Sequence, residues 1–250
     1  MTRIAFSNLA APTWSLERTL DAVGEYGYDG LELRLLDGEP IDPLAVDESA
    51  HRALSRRTVP LVSIDTSIQL AQPFERELSA VVELALDWGA PTVRVFGGQS
   101  QDLDDLARRL EPALARAEEA EIAVALETHD DFASAARVAE LMRRVDSPSF
   151  GAVWDVHHTY RAGESPEDVV RALGTRVQLV HVKDARREGA DWKLVALGEG
   201  ELPVRESLAA LDAVGYKGWL TLEWEKRWHP DLDEPEVALP RCLETLKRWL

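Results

Sequence analysis

Short apolar runs rich in β-branched residues alternate along the chain with longer stretches in which apolar residues recur every three or four positions, the signal for alternating strands and amphipathic helices. The short runs predict strands at Arg3–Ser7, Gly30–Arg34, Leu61–Asp65, Thr92–Phe96, Ile122–Glu127, Gly151–Asp155, Val177–Lys183 and Trp219–Glu223. Between and after them the longer period predicts helices near Leu16–Tyr26, Asp47–Arg57, Glu75–Trp88, Leu103–Glu119, Phe132–Arg144, Pro166–Leu173, Val204–Val214 and Glu236–Trp249. Ser165 followed by Pro166-Glu167-Asp168 is a helix start, with a capping hydroxyl, a proline in the first turn and carboxylates at the positive end. Gly27, Gly89, Gly174 and Gly215 stand where helices should stop.

Eight such βα units in 250 residues have the size and count of a single (β/α)8 TIM barrel, one domain over residues 1–250. A doubly wound open sheet is the runner-up, but it wants a glycine-rich phosphate turn after its first strand, and Ser7-Asn8-Leu9-Ala10-Ala11 is not one.

Strand side chains alternate between faces, so the bulky face, packed against helices, identifies the residues that point into the barrel. In Ile122–Glu127, Ile122, Val124 and Leu126 share the outer face, leaving Glu127 inward. The same reading turns Thr221 and Glu223 inward, pairs His181 with Lys183 on one face, and makes Asp155 the last inward residue of its strand. Glu32, Arg34 and Arg94 point inward on the early strands, and Asp65 ends strand three.

Strands five to eight are neighbours in a barrel, at about 4.8 Å spacing, so Glu127, Asp155, His181 and Glu223 converge at the C-terminal mouth. Two Glu, one Asp and one His make a hard, mostly oxygen ligand set that suits Mn²⁺ or Mg²⁺, with Co²⁺ or Zn²⁺ admitted through the imidazole. Singly, each residue has a plainer reading: a strand-ending carboxylate often caps the next helix, as Asp130 or Asp131 could before Phe132, and a lone histidine is usually structural. Four ligand types at equivalent positions on consecutive strands favour a metal centre over ion pairing that only stabilises the barrel. Lys183 is a candidate substrate contact; Glu32 and Arg34 either pair with each other or with Arg94, or face the substrate.

Composition narrows the partners. Lys and Arg number 28 against 45 Asp and Glu, a net charge of −17, and the basic residues form only isolated pairs such as Arg143-Arg144, so a phosphate backbone would be repelled. The lone cysteine, Cys242, and an N-terminus without an apolar signal core fit a cytoplasmic protein, and no apolar run approaches the ~18 residues of a membrane span.

Six segments then carry a resemblance: GYDGLELR (Gly27–Arg34), ALETH (Ala125–His129), WDVHH (Trp154–His158), VHVKDARR (Val180–Arg187), GEGELP (Gly198–Pro203) and LEWE (Leu222–Glu225). Together they resemble the xylose isomerase-like TIM barrels, a family of sugar isomerases, ketose 3-epimerases, hydroxypyruvate isomerase, inosose dehydratase and, more distantly, endonuclease IV. The resemblance implies a divalent-metal-dependent isomerase or epimerase of a small sugar or hydroxy-ketone, working through a metal-stabilised enediolate. Its metal ligands map onto Glu127, Asp155, His181 and Glu223, with Glu127 and Glu223 also as the acid–base pair. It also places substrate contacts at His158 and Arg187. Alternation, if the strand ends at Asp155, instead turns His157 inward, and the two histidines stay as alternatives.

The nearest rival is a metal-dependent dehydratase or lyase acting on a keto-cyclitol or polyol ketone; a barrel that binds sugar without chemistry is the rival from another class. The small-molecule substrate is a sugar or polyol ketone, with no nucleic acid or membrane, and a homodimer is compatible. Specificity is assigned to the βα loops, including Asn8–Trp14, Leu35–Pro43 and Ser67–Pro73. Trp14 and Trp192 either stack on a sugar or pack.

Overall fold

The computed structural model describes residues 2–100 and 102–250. Its strands are β1 (Arg3–Ser7), β2 (Gly30–Leu33), β3 (Leu61–Gln69), β4 (Thr92–Phe96), β5 (Ala123–Glu127), β6 (Phe150–Asp155), β7 (Val177–Val182) and β8 (Trp219–Leu222). They are parallel and neighbour one another in chain order, and β8 pairs with β1 to close a single (β/α)8 TIM barrel. The helices are α1 (Leu16–Tyr26), α2 (Glu48–Arg56), α3 (Glu75–Trp88), α4 (Leu103–Glu119), α5 (Ala135–Met142), α6 (Val156–Arg161), α7 (Pro166–Leu173), α8 (Val204–Ala213) and α9 (Pro235–Trp249). None of them is long and apolar enough to cross a membrane.

Local signals act as their chemistry dictates. Ser15 and Ser165 accept hydrogen bonds from the amides of Arg18 and Asp168, both at 3.2 Å, and so cap α1 and α7. Gly27 ends α1 in the left-handed region, φ 80°, where a side chain would be strained.

The barrel interior has two levels of different chemistry. At the lower level Ala5, Val62, Ala125, Val153, Leu179 and Trp219 form a dry plug. Gly30 completes it, since a Cβ there would lie 2.8 Å from Val62 and 3.0 Å from the Trp219 ring. Above the plug the inward positions turn polar: Glu32, Asp65, Arg94, Glu127, Asp155, His181, Lys183 and Glu223 are all buried. The main apolar core lies outside the barrel wall, between the strands' outer faces and the helices.

Several elements differ from the sequence pattern. β3 runs four residues beyond Asp65, with a register shift against β4 between Asp65 and Gln69. α5 begins at Ala135 because Ser134, not Asp130 or Asp131, caps it, and the Glu164 carboxylate accepts the amides of Ala135 and Ala136. Two antiparallel hairpins rise from the mouth, Leu35–Leu36 with Glu39–Pro40 and Asp184–Glu188 with Asp191–Val195. The chain after Asp155 enters α6 at once.

Candidate metal centre and substrate pocket

Glu127, Asp155, His181 and Glu223 each offer a ligand atom within 4.8 Å of the others, and all four residues are buried. Strand register produces this convergence. Asp155 and Thr221 both pair with His181 across the sheet, which sets the ends of β6, β7 and β8 at one height. His181 Nδ1 stands 3.1 Å from Glu127 Oε1 and 3.6 Å from Glu223 Oε1. Its other nitrogen, Nε2, lies 2.9 Å from Glu32 Oε2, so Glu32 orients the ring that presents Nδ1 to the ligand group.

Asp155 serves two ends of its carboxylate. Oδ1 accepts the amide of His158 at 2.9 Å and caps α6, while Oδ2 lies 2.9 Å from Lys183 Nζ. The capping reading and the ligand reading of this residue are therefore compatible. Lys183 also contacts Glu223 and Glu225, and Arg94 Nε stands 2.9 Å from Asp65 Oδ2 and 3.0 Å from Glu127 Oε2. Despite these nearby cations, Asp155 Oδ2 and Glu127 Oε2 have no partner in hydrogen-bonding geometry. Two of the three candidate ligand carboxylates thus present a buried oxygen with an unused lone pair, and this hard donor set fits a divalent cation.

The electrostatics are those of a dense ionic network. Burial pushes the Glu223 carboxyl up to about 8. For Glu127 burial acts in the same sense but is outweighed by Arg94 and His181, which hold the carboxyl well below the ordinary range. Burial would strip Lys183 of its proton, yet Asp155, Glu223 and Glu225 keep the ammonium well above its usual value.

Above the ligand group opens a cavity of about 500 Å³. Glu127, Glu223, Lys183, Arg34 and both His157 and His158 line it, together with Trp192. The two histidines cease to be alternatives because α6 replaces the expected extended chain: in a helix successive side chains are ~100° apart, so neighbours can share one wall. His157 packs on Trp192 with ring centroids 5.3 Å apart, and His158 on His129 at 4.3 Å. Arg187 is not brought into the cavity. It sits exposed on the hairpin with its guanidinium 5.7 Å from the Trp192 ring, because in the hairpin register it lies opposite Trp192. Trp14 packs under Arg18, 4.4 Å from its ring, away from the pocket.

Sequence reasoning passed over further lining residues: Phe96, His129, Arg161, Glu225, Trp228 and His229. His129 and Glu225 lie inside ALETH and LEWE, so their segments were visible though their roles were not. Asp184 was passed over as well. Its carboxylate accepts the amides of Ala185 and Leu202 on Oδ1, at 2.9 and 3.2 Å, and those of Gly198 and Gly200 on Oδ2, at 2.9 and 3.0 Å. That bond set ties the long loop after the hairpin back to the end of β7.

Comparison with known proteins bears on the fold and the family. Protein YihM of Escherichia coli (strain K12) is 24% identical over 204 residues, 78% of this chain, and the matched part spans 62% of YihM. The structure of L-ribulose 3-epimerase superposes with a TM-score of 0.81 at 16% identity, covering 100% of this chain and 95% of that one. The probable 3-DHS dehydratase AsbF of Bacillus anthracis, involved in petrobactin synthesis, superposes at 0.78 with 19% identity, covering 98% and 99% of the two chains. At these identities the superpositions speak for the fold. The model of the xylose isomerase-like TIM barrel family matches residues 20–249, and the chain belongs to that family.

Proposed function

We propose that the protein is a divalent-metal-dependent isomerase or epimerase of a small sugar or hydroxy-ketone. The observation that carries this reading is the buried group of Glu127, Asp155, His181 and Glu223, with ligand atoms within 4.8 Å of one another, on the floor of a sugar-sized cavity. Those four residues would hold the ion, Mn²⁺ or Mg²⁺ by the predominance of carboxylates, with Co²⁺ or Zn²⁺ admitted by the imidazole. When bound, a divalent ion supplies Lewis acidity toward the substrate's carbonyl and neighbouring hydroxyl oxygens.

The chain's own groups do the proton transfer. Glu127 and Glu223 reach the centre from strands separated by β6 and β7, so they approach a substrate between them from different directions. One removes the proton α to the carbonyl, leaving a planar enediolate, and the other returns a proton. Return to the same carbon from the opposite face inverts that centre, and return to the neighbouring carbon moves the carbonyl. His158, Lys183 and Arg34 line the cavity at hand for substrate oxygens. The reaction is assigned to the cytoplasm, with a small molecule and not nucleic acid as its partner.

One contact favours a second reading. The Lys183 ammonium is held against Glu223, so a proton donor stands beside a base. The same deprotonation followed by protonation and loss of a β-hydroxyl would make the enzyme a dehydratase or lyase of a keto-cyclitol or polyol ketone. Incubation of metal-loaded protein with keto-sugars and inososes in D₂O separates the two. Solvent deuterium in recovered sugar without loss of water supports isomerisation, and a new enone absorbance supports elimination; neither signal with any substrate refutes both. Metal analysis of Glu127→Gln and Glu223→Gln tests the ligand set, and a barrel that only binds sugar would hold no tight ion and lose nothing on either substitution.

A further inference from the structure

We infer that the substrate carries an anionic group, a carboxylate or a phosphate, and that Arg34 binds it; this rests on the proposed reading of the cavity as the substrate site. Every other cation on the polar level of the barrel has acidic partners. Arg94 has Asp65 and Glu127, His181 has Glu32 and Glu127, and Lys183 has Asp155, Glu223 and Glu225. Arg34 has none among the described residues. Its Nη2 donates to the neutral Ser67 hydroxyl at 2.8 Å, and its Nη1 has no partner although the residue is only 5% exposed.

A guanidinium without a close ion pair in such a place is costly, because burial removes its hydration while Asp65, Glu127 and Glu223 favour its charge only from beyond ion-pair distance and Arg94 opposes it. Arg34 is nevertheless held firmly. Its amide donates to Asn8 Oδ1 at 2.7 Å and its carbonyl accepts the Ile41 amide at 3.1 Å, which pins the end of β2 between the first loop and the first hairpin. The residue lines the same cavity as Glu127 and Glu223. His157 Nε2 is a second buried nitrogen without a partner on that cavity's wall. A planar fork with a free edge suits two oxygens of one carboxylate or phosphate, whereas a neutral hydroxyl would leave the charge unmatched.

The test compares three related probes by calorimetric titration of metal-supplemented protein: D-fructose as the neutral keto-sugar, 5-keto-D-gluconate as the carboxylate and fructose 6-phosphate as the phosphate ester. A charge-assisted pair predicts that one anionic probe binds ~10–100-fold more tightly than D-fructose, and which one distinguishes carboxylate from phosphate. Arg34→Gln should weaken the preferred anionic probe at least ~10-fold more than it weakens D-fructose, and Arg34→Lys should restore part of the preference. The inference is overturned if neither anionic probe exceeds D-fructose in the unaltered protein, a comparison that needs no variant to fold. Equal weakening of all three probes by Arg34→Gln would overturn it as well. The outcome is separable from the metal reading: anion preference in a protein that takes up no divalent ion retains the inference and removes the proposed chemistry, and a metal-loaded protein that prefers neutral sugar does the reverse.

Discussion

Replacing Asp184 should unfasten the loop that follows the Asp184–Val195 hairpin, and the cost can be worked from its four accepted hydrogen bonds. Oδ1 serves the amides of Ala185 and Leu202, both on buried residues, while Oδ2 serves Gly198 and Gly200 at the solvent-accessible edge. In Asp184→Ala the two outer amides can turn to water, but the two buried ones are left dry, at about 1.5–3 kcal/mol each for donors to a charged acceptor. The expected destabilisation is about 3–6 kcal/mol, among the larger values for a single substitution. Asp184→Asn can keep its oxygen at the Oδ1 position and so satisfy the buried pair, losing the charge and the two outer bonds, for about 1–2 kcal/mol. Gly200→Ala attacks the same anchor from the other side, since its Cβ would lie 2.1 Å from Asp184 Oδ1 and 2.5 Å from the Ala185 carbonyl oxygen. Urea unfolding followed by circular dichroism, read as midpoint shifts at unchanged slope, measures all three, and Asp184→Ala combined with Gly200→Ala should cost less than the sum. Asn costing as much as Ala, either Asp184 variant within about 0.5 kcal/mol of the parent, or strict additivity would refute the reasoning.

Cys242 is 1% exposed and burial pushes its thiol up to about 11, so it should react with a disulfide reagent near pH 8 on the order of 100-fold more slowly in the folded than in the unfolded protein; equal rates would contradict its burial on the inner face of α9. Burial likewise raises the Tyr28 phenol, which donates to the Leu239 carbonyl oxygen at 2.8 Å. Below pH 10 both folded and unfolded chains hold this proton. Above pH 10 the unfolded chain releases it first, so stability falls, by about 1.4 kcal/mol per pH unit for one group, and Tyr28→Phe should flatten the alkaline limb by that amount. An unchanged slope would count against it. Chelation of the proposed ion should lower the thermal midpoint, since a ligand present at 100 times its dissociation constant stabilises by about 2.7 kcal/mol, and Glu127→Gln protein should show no such shift; a shift of equal size in both would place the ion elsewhere.

Local patterning was enough for the βα rhythm, the count of barrel strands and the inward set at the mouth. Alternation is a property of one strand at a time, and the plug residues and the proposed ligands obey it without help from distant contacts. Glu127, Asp155, His181 and Glu223 were legible for that reason, each at the same end of its own strand. Contacts between segments far apart in sequence were not legible. That Arg187 swings onto a hairpin, that α6 brings His157 and His158 to one wall, and that Asp184 binds amides 14 to 18 residues away are outcomes of where the chain turns after each strand. The pairing of charges was equally hidden. Glu32, Arg34 and Arg94 could be read as inward, but only closure of the barrel gave Glu32 to His181 and Arg94 to Asp65 and left Arg34 over. The physical reason is that alternation sets direction within a strand, whereas distance between charges depends on register across the closed sheet, a tertiary quantity that no single segment contains.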